Sequence, residues 1–281
     1  MSQNTLAEFD VMRPPTQAEL PYDDGVPMES QRHKVQLDLL MDALLPWLGE
    51  RSDGYVGGNM FVYYSLAQVK NQDFRGPDFF VVLEVPKGER LSWVVWEEGK
   101  GPDVVIELLS DSTAKQDKNE KKLIYQNQLR IPEYFWFDPF NADDWAGFTL
   151  RHGVYEAIAP NTQHQLVSHA LGLALVRWQG NYKGIDATWL RWARLDGELL
   201  LTPQEMAEQE QQRAEQEQQR AEQERQRAEQ EQQRANQAES QLQQVIINLL
   251  QRGGTVEQVA TMTGLSESQV RRLGSLPGAT D

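Results

Sequence analysis

Residues 104–109 read VVIELL, a six-residue apolar run interrupted by one carboxylate, Glu107. The run opens on Val104, Val105 and Ile106, and Gly-Pro-Asp and Ser-Asp-Ser-Thr bound it. This pattern reads as a strand buried on both faces. An ionised carboxylate is expensive to bury without a partner, so any fold containing this strand must bring a cation to Glu107. A divalent metal is one candidate, and a salt bridge to Lys121 or Lys122 is the other. A second acid, Asp78, leads directly into FFVVL within GPDFFVVLEV. An acid at the start of a buried strand stands at the end of the sheet, where it can meet solvent and metal. Two acids on neighbouring strands with a lysine close by can hold a divalent cation against a phosphodiester.

The surrounding pattern supplies the rest of an α/β domain. Val35, Leu37, Leu39, Leu40, Leu44, Leu45 and Leu48 recur as one face of a helix over 29–48. Glycines punctuate a strand pair over 53–66, and further strands are expected at 79–85, 92–96, 104–109 and 134–137. The spacing predicts a helix over 117–129, then short strands with Gly turns from 146 to 201. A helix, then strands, then a helix and a strand make a mixed central sheet flanked by helices. Within the second helix, Asp117, Lys121 and Tyr125 recur every four residues and share a face, with Leu123 and Ile124 near or beside it. Lys122 points about 100° away and is expected in solvent.

Composition removes several function classes. The chain has no cysteine, so disulfides and thiolate metal sites are excluded. No apolar run approaches membrane-spanning length and the N-terminus carries no basic-then-apolar signal, so a cytoplasmic location is expected. The net charge is −15. Residues 207–240 hold nine Glu and five Arg, a contribution of −4, which leaves −11 on the rest. Such a chain is a poor indiscriminate binder of duplex DNA, because that binding depends on Lys and Arg displacing counterions.

From Ala207 the sequence AEQEQQR repeats every seven residues, with Ala207, Ala214, Ala221, Ala228 and Ala235 in register. Only a small apolar residue recurs, so a weak coiled coil and a solvated single helix are both open. At ~1.5 Å per residue the segment would span ~50 Å. Beyond it lie three short amphipathic pieces, broken at Gly253 and Gly254 and again at Gly264. The last two have a helix-turn-helix pattern with Ser266 as N-cap. A DNA-recognition helix over 267–273 is one reading. A helical end-cap is favoured over it, because Arg271 and Arg272 lie at the far end of that helix, whereas base contacts usually begin near its start.

The run PDFFVV followed by PDVVIELLSDSTAKQDKNEKKLIYQNQLRIPEYFWFDP resembles the Uma-type endonuclease family of bacteria. That family belongs to the PD-(D/E)XK restriction-endonuclease-like superfamily. The resemblance covers residues 28–205, and Ser110, Thr113, Asp117, Lys121, Tyr125, Pro132, Glu133, Tyr134 and Asp138 stand at the family's spacings. It implies a restriction-endonuclease-like core and a hydrolase acting on DNA phosphodiesters. It further implies Asp78 and Glu107 as ligands of Mg²⁺ or Mn²⁺, with Lys121 as the catalytic base-side cation. The superfamily pattern places a lysine two residues after the second acid, where this chain has Leu109. The resemblance implies that Lys121, on the following helix, replaces it.

Around these three, Tyr125 would position Lys121 or a phosphate oxygen, and Asp117 would cap the helix or pair with Lys121. Glu29 stands where some superfamily members supply a further metal-site carboxylate, although a helix-start acid favoured by the dipole is the alternative. His33 is expected at the surface. Asp103 lies ~13 Å from Glu107 along one extended strand and is not expected to share its metal. Glu84, at the far end of the Asp78 strand, is expected to be structural. Four segments result: an irregular arm 1–28, the nuclease-like domain 29–205, the polar helix 206–240 and a small helical unit 241–281. A homo-oligomer could form through the core or the heptad-repeat helix. The competing reading is a catalytically lapsed fold serving as an interaction or DNA-binding module through its C-terminal helices.

Overall fold

The computed structural model describes residues 13–22, 30–70 and 76–275. The chain divides into two compact units, residues 1–207 and 208–281.

In the first unit, α1 (Gln31–Gly49) starts at Ser30, whose side chain accepts the His33 amide. It is followed by β1 (Tyr55–Gly58), β2 (Val62–Tyr63), α2 (Leu66–Lys70), β3 (Phe79–Val82) and β4 (Trp93–Val94). Next come α3 (Val95–Glu98) and β5 (Val104–Leu108). A helical stretch over 114–129 then comprises α4 (Ala114–Gln116), a π turn (Asp117–Lys121), α5 (Lys122–Ile124) and a second π turn (Tyr125–Leu129). The strands β6 (Glu133–Phe137), β7 (Trp145–Arg151), β8 (Val154–Ile158), β9 (Leu166–Ser168), β10 (Leu173–Tyr182) and β11 (Ile185–Ala193) complete the unit.

The central sheet has the order β1-β3-β5-β6-β7-β8. All its neighbours are antiparallel except β5 and β6, which run parallel with Glu107 opposite Trp136. Parallel neighbours cannot be joined by a hairpin, so the chain must cross over a sheet face. Residues 109–132 make that crossing and carry the helical stretch onto the face where Val105 packs with Phe80, Tyr125 and Tyr134. The opposite face, with Val104, Ile106 and Leu108, packs on Leu37, Leu40 and Leu44 of α1. It also meets Leu175, Leu190 and Trp192 of the separate β9–β11 sheet. Both faces of β5 are therefore covered, and all five of its residues are buried.

Three sequence expectations change in detail. The strand expected over 79–85 stops at Val82 because Glu84 takes a left-handed backbone (φ 59°), its amide donating to Asp53 Oδ2. The strand expected over 92–96 yields after Val94 to a helical turn that Gly99 ends at φ 83°. The helix expected over 117–129 starts at Ala114 and contains two π turns.

The long helix α6 (Pro203–Gln251) is rooted in the first unit by a buried ion pair. Arg191 of β11 is 1% exposed and donates to both Glu205 carboxylate oxygens at 2.8 and 2.7 Å. Thr202 and Glu205 exchange side-chain and backbone bonds across the first turn, as a capping box does. Residues 207–240 are exposed throughout. In the second unit, α7 (Val256–Thr263) and α8 (Glu267–Gly274) each begin with a capping box, at Thr255 and at the expected Ser266. They pack Val259, Val270 and Leu273 on Ile246 of α6. Among the described residues, no helix is long and apolar enough to cross a membrane.

Replacing Glu205 by Ala leaves Arg191 buried without its bidentate partner. We expect a loss of roughly 3 kcal/mol in urea unfolding of the full chain, the low end for a broken buried pair because Glu205 is partly exposed. An unchanged midpoint would show that the helix root does not depend on this pair.

Candidate active site

Glu107 projects from β5 toward the crossover helix and has no solvent exposure. Lys121 donates from Nζ to Glu107 Oε2 at 3.0 Å, and the Tyr125 hydroxyl donates to Oε1 at 2.5 Å. The compensating cation that the strand demanded is thus Lys121. Its Nζ also lies 2.8 Å from Oδ1 of Asp117, a side chain only 1% exposed. Asp117 Oδ2 has no hydrogen-bond partner among the described residues. The Tyr134 hydroxyl donates to the Asp117 carbonyl at 3.0 Å and pins the backbone there.

The first π turn explains why three residues at intervals of four all face one strand. In an α-helix of 3.6 residues per turn, each interval of four drifts by about 40°. A π turn is wider, with i→i+5 bonding, and the turn over Asp117–Lys121 reduces that drift. Asp117 and Tyr125 are both buried, and Lys121 reaches between Glu107 and Asp117.

Asp78 arrives from the other side. The β3–β5 ladder ends at the pair Phe79 and Ile106. Asp78 Oδ2 then accepts the Leu108 amide at 2.7 Å, filling the place of the next ladder partner. This bond ties one acid to the backbone immediately after the other.

The electrostatics are strongly perturbed. Burial is the main cause lifting the Glu107 carboxyl well above the usual carboxylate range; Lys121 opposes it, while Asp78 and Asp117 add to it. Burial pushes the Lys121 ammonium down, but Glu107, Asp117 and Asp78 outweigh it and hold its pKa above the ordinary lysine value. The two partners thus pull in different senses, one toward a neutral acid and the other toward a full ion pair. We stand behind a charged Lys121, because three carboxylates surround it and burial is its only opposing cause. Burial, reinforced by Glu107, also lifts the Tyr125 phenol well above its usual value, so it remains a donor.

Three carboxylates against one ammonium sum to −2 when all are ionised, which suits a divalent cation. Among the described residues, no three His, Cys, Asp or Glu side chains gather as a metal cage. Mg²⁺ does not require one, since it is commonly bound by one or two carboxylates with waters and substrate phosphates. The hard oxygen donors of Asp78 and Glu107, with the buried Asp117 Oδ2 lacking a hydrogen bond, fit such an ion.

Other expectations resolve differently. His33 is not at the surface but 2% exposed. It shares the inward face of α1 with Leu37, Leu40 and Leu44, a spacing visible in the sequence. Its Nε2 donates to the Leu109 carbonyl at 2.9 Å while Nδ1 lies 2.8 Å from Ser30 Oγ. Lys122 is only partly exposed: its Nζ lies 3.4 Å from the centre of the Phe148 ring, and burial lowers its pKa. Leu123 is exposed, so Ile124 alone of that pair lies against the face. Asp103 is engaged with Lys100 at 2.9 Å and with the Leu83 amide at 2.7 Å. Glu84 is exposed in its turn rather than facing with Asp78. Glu29 lies outside the described residues. Tyr134 was missed as a site residue, although alternation within EYFWF places Tyr134 and Trp136 on one strand face.

The model of the Uma2 family, described as "Putative restriction endonuclease", matches residues 6–179. The chain belongs to the Uma2 family. A solved structure of a "putative nuclease belonging to DUF820" from Anabaena variabilis is 16% identical to this Uma2 chain. That match has a TM-score of 0.38 and covers 56% of this chain and 91% of the other. Among curated proteins no match is found.

Replacing Lys121 by Met leaves Glu107 and Asp117 buried without their cation. The expected cost is about 3–5 kcal/mol by urea unfolding, and Tyr125→Phe should cost about 1–3 kcal/mol by removing one donor from a buried acceptor. Wild-type stability in both variants would mean that Glu107 is neutral and needs neither partner.

Proposed function

We propose that this Uma2-family chain is a metal-dependent endodeoxyribonuclease that hydrolyses phosphodiester bonds in DNA. The observation that carries the reading is the 3.0 Å contact between Lys121 and Glu107, made from the crossover helix. It supports Lys121 as the substitute for the lysine that Leu109 does not provide. Asp78 and Glu107, with the Leu108 carbonyl, would hold Mg²⁺ or Mn²⁺. Such an ion, when bound, supplies Lewis acidity at the phosphate and a more acidic water.

The remaining work falls to the chain's own groups. Lys121 places a fixed positive charge where negative charge develops on the phosphate oxygens, a donor already oriented before the reaction begins. Asp117 makes a second contact with the ammonium, at 2.8 Å, which holds Lys121 beside Glu107. Tyr125 holds the Glu107 carboxylate in one rotamer through its short hydroxyl contact. Asp78 fixes the end of β5 through the Leu108 amide. The exposed residues 207–240 are read as a spacer and α7–α8 as its end-cap.

The test is incubation of the full chain with plasmid and with single-stranded DNA in Mn²⁺. We expect cleavage that EDTA abolishes and that Asp78→Asn, Glu107→Gln and Lys121→Met each reduce by about 10²–10⁴-fold. Asp78→Asn keeps an acceptor for the Leu108 amide, which separates loss of chemistry from loss of fold. Folded wild-type protein that cleaves neither substrate and binds no divalent ion by calorimetry would sink the reading.

A further inference from the structure

Phe140 is 66% exposed, more than any other Phe, Tyr or Trp among the described residues. A large apolar ring in water is unremarkable on a mobile tip, but this one is held. Asp138 Oδ1 accepts the amides of Phe140 and Asn141 at 2.8 and 3.1 Å, and the Asp138 amide donates to the Asp144 carbonyl at 3.0 Å. Arg32 of α1 donates to the Pro139 carbonyl at 3.2 Å and sets its guanidinium 5.2 Å from the ring centre. The His33 ring lies 5.8 Å from the same ring.

The location ties this platform to the candidate site. β5 and β6 run parallel, so their C-terminal ends share one edge of the sheet. Glu107 and Leu108 close β5 at that edge, and Phe140 follows just beyond the end of β6. His33 joins the two through its bond to the Leu109 carbonyl. An aromatic ring with a guanidinium beside it matches a nucleotide, since the base can stack on the ring while the cation faces a phosphate.

We propose that Phe140, backed by Arg32, is a stacking platform for an unpaired nucleobase, so that the substrate is DNA with a single-stranded or frayed segment rather than intact duplex. The proposal rests on the nuclease reading above and adds the substrate class to it. Bases inside a duplex are already stacked and leave no free face for the ring. The net charge of −15 also weakens the counterion-release contribution on which duplex binding depends. Stacking on an aromatic residue needs no such charge.

The test uses the full chain with a 2-aminopurine single-stranded oligonucleotide and its duplex, Ca²⁺ replacing Mg²⁺ to slow cleavage. Wild type should bind the single strand more tightly. Phe140→Ala should weaken single-strand binding by about five- to a hundredfold, the range that one stacked base contributes. It should leave duplex affinity and the urea midpoint unchanged, and Phe140→Trp should restore binding and the change in 2-aminopurine fluorescence. If Phe140→Ala binds both DNAs like wild type while Mn²⁺-dependent cleavage persists, the platform is overturned and the nuclease reading stands. If wild type neither binds nor cleaves any DNA, both fall together.

Discussion

A carboxylate with no exposure, in a strand covered on both faces, can be kept only if something nearby shares its charge. In this chain the requirement is met twice over at Glu107, by an ammonium and by a phenol whose own ionisation burial suppresses. Much of the first unit follows from satisfying it. The crossover must pass over this particular strand, the helix must present its inner face at Glu107, and Tyr134 must hold the helix backbone at Asp117. A buried pair of this kind is weak evidence for stability, since well-packed apolar residues could replace it at little cost.

Topology also accounts for how a lysine outside the strand reaches Glu107. In this sheet β5 and β6 are parallel, so the chain between them necessarily spans the face on which Glu107 stands. A lysine on that connection can reach the carboxylate as directly as one placed two residues along the strand. Leu109 meanwhile is buried, and its carbonyl serves as the acceptor for His33. The strand end is thereby tied to α1, while Lys121 reaches Glu107 from the crossover helix.

The sequence exposed the acids because they interrupt apolar runs, and it exposed the face shared by Asp117, Lys121 and Tyr125 because its interval is close to a helical turn. It did not reveal how Lys122 is used, since a helical wheel counts angles and not the aromatic surface that waits at each angle. His33 was legible but misjudged: its register with Leu37, Leu40 and Leu44 marked it as inward, and weighing it as an isolated residue hid that. The early end of β3 at Val82 rests on a left-handed turn at Glu84, a conformation that a glutamate does not advertise. The Asp117 carboxylate could be assigned to Lys121 from spacing, whereas its near-complete burial depends on the sheet beneath it.

The widened turns of the crossover helix carry a consequence for how this chain can vary. Each π turn accommodates an extra residue within an α-helical path, and the first lies within the stretch that presents Asp117, Lys121 and Tyr125. Removing one residue between Asp117 and Tyr125 would let the backbone relax to ordinary helix. Seven residues of ordinary helix turn through about 700°, within about 20° of two full turns, so the phenol would stay on the side of the carboxylate. Side chains on the outer face can also be exchanged freely. What the segment must keep is the shared face and not the residue count, so a one-residue gap at the π turn is as compatible with the site as exchanges on the outer face.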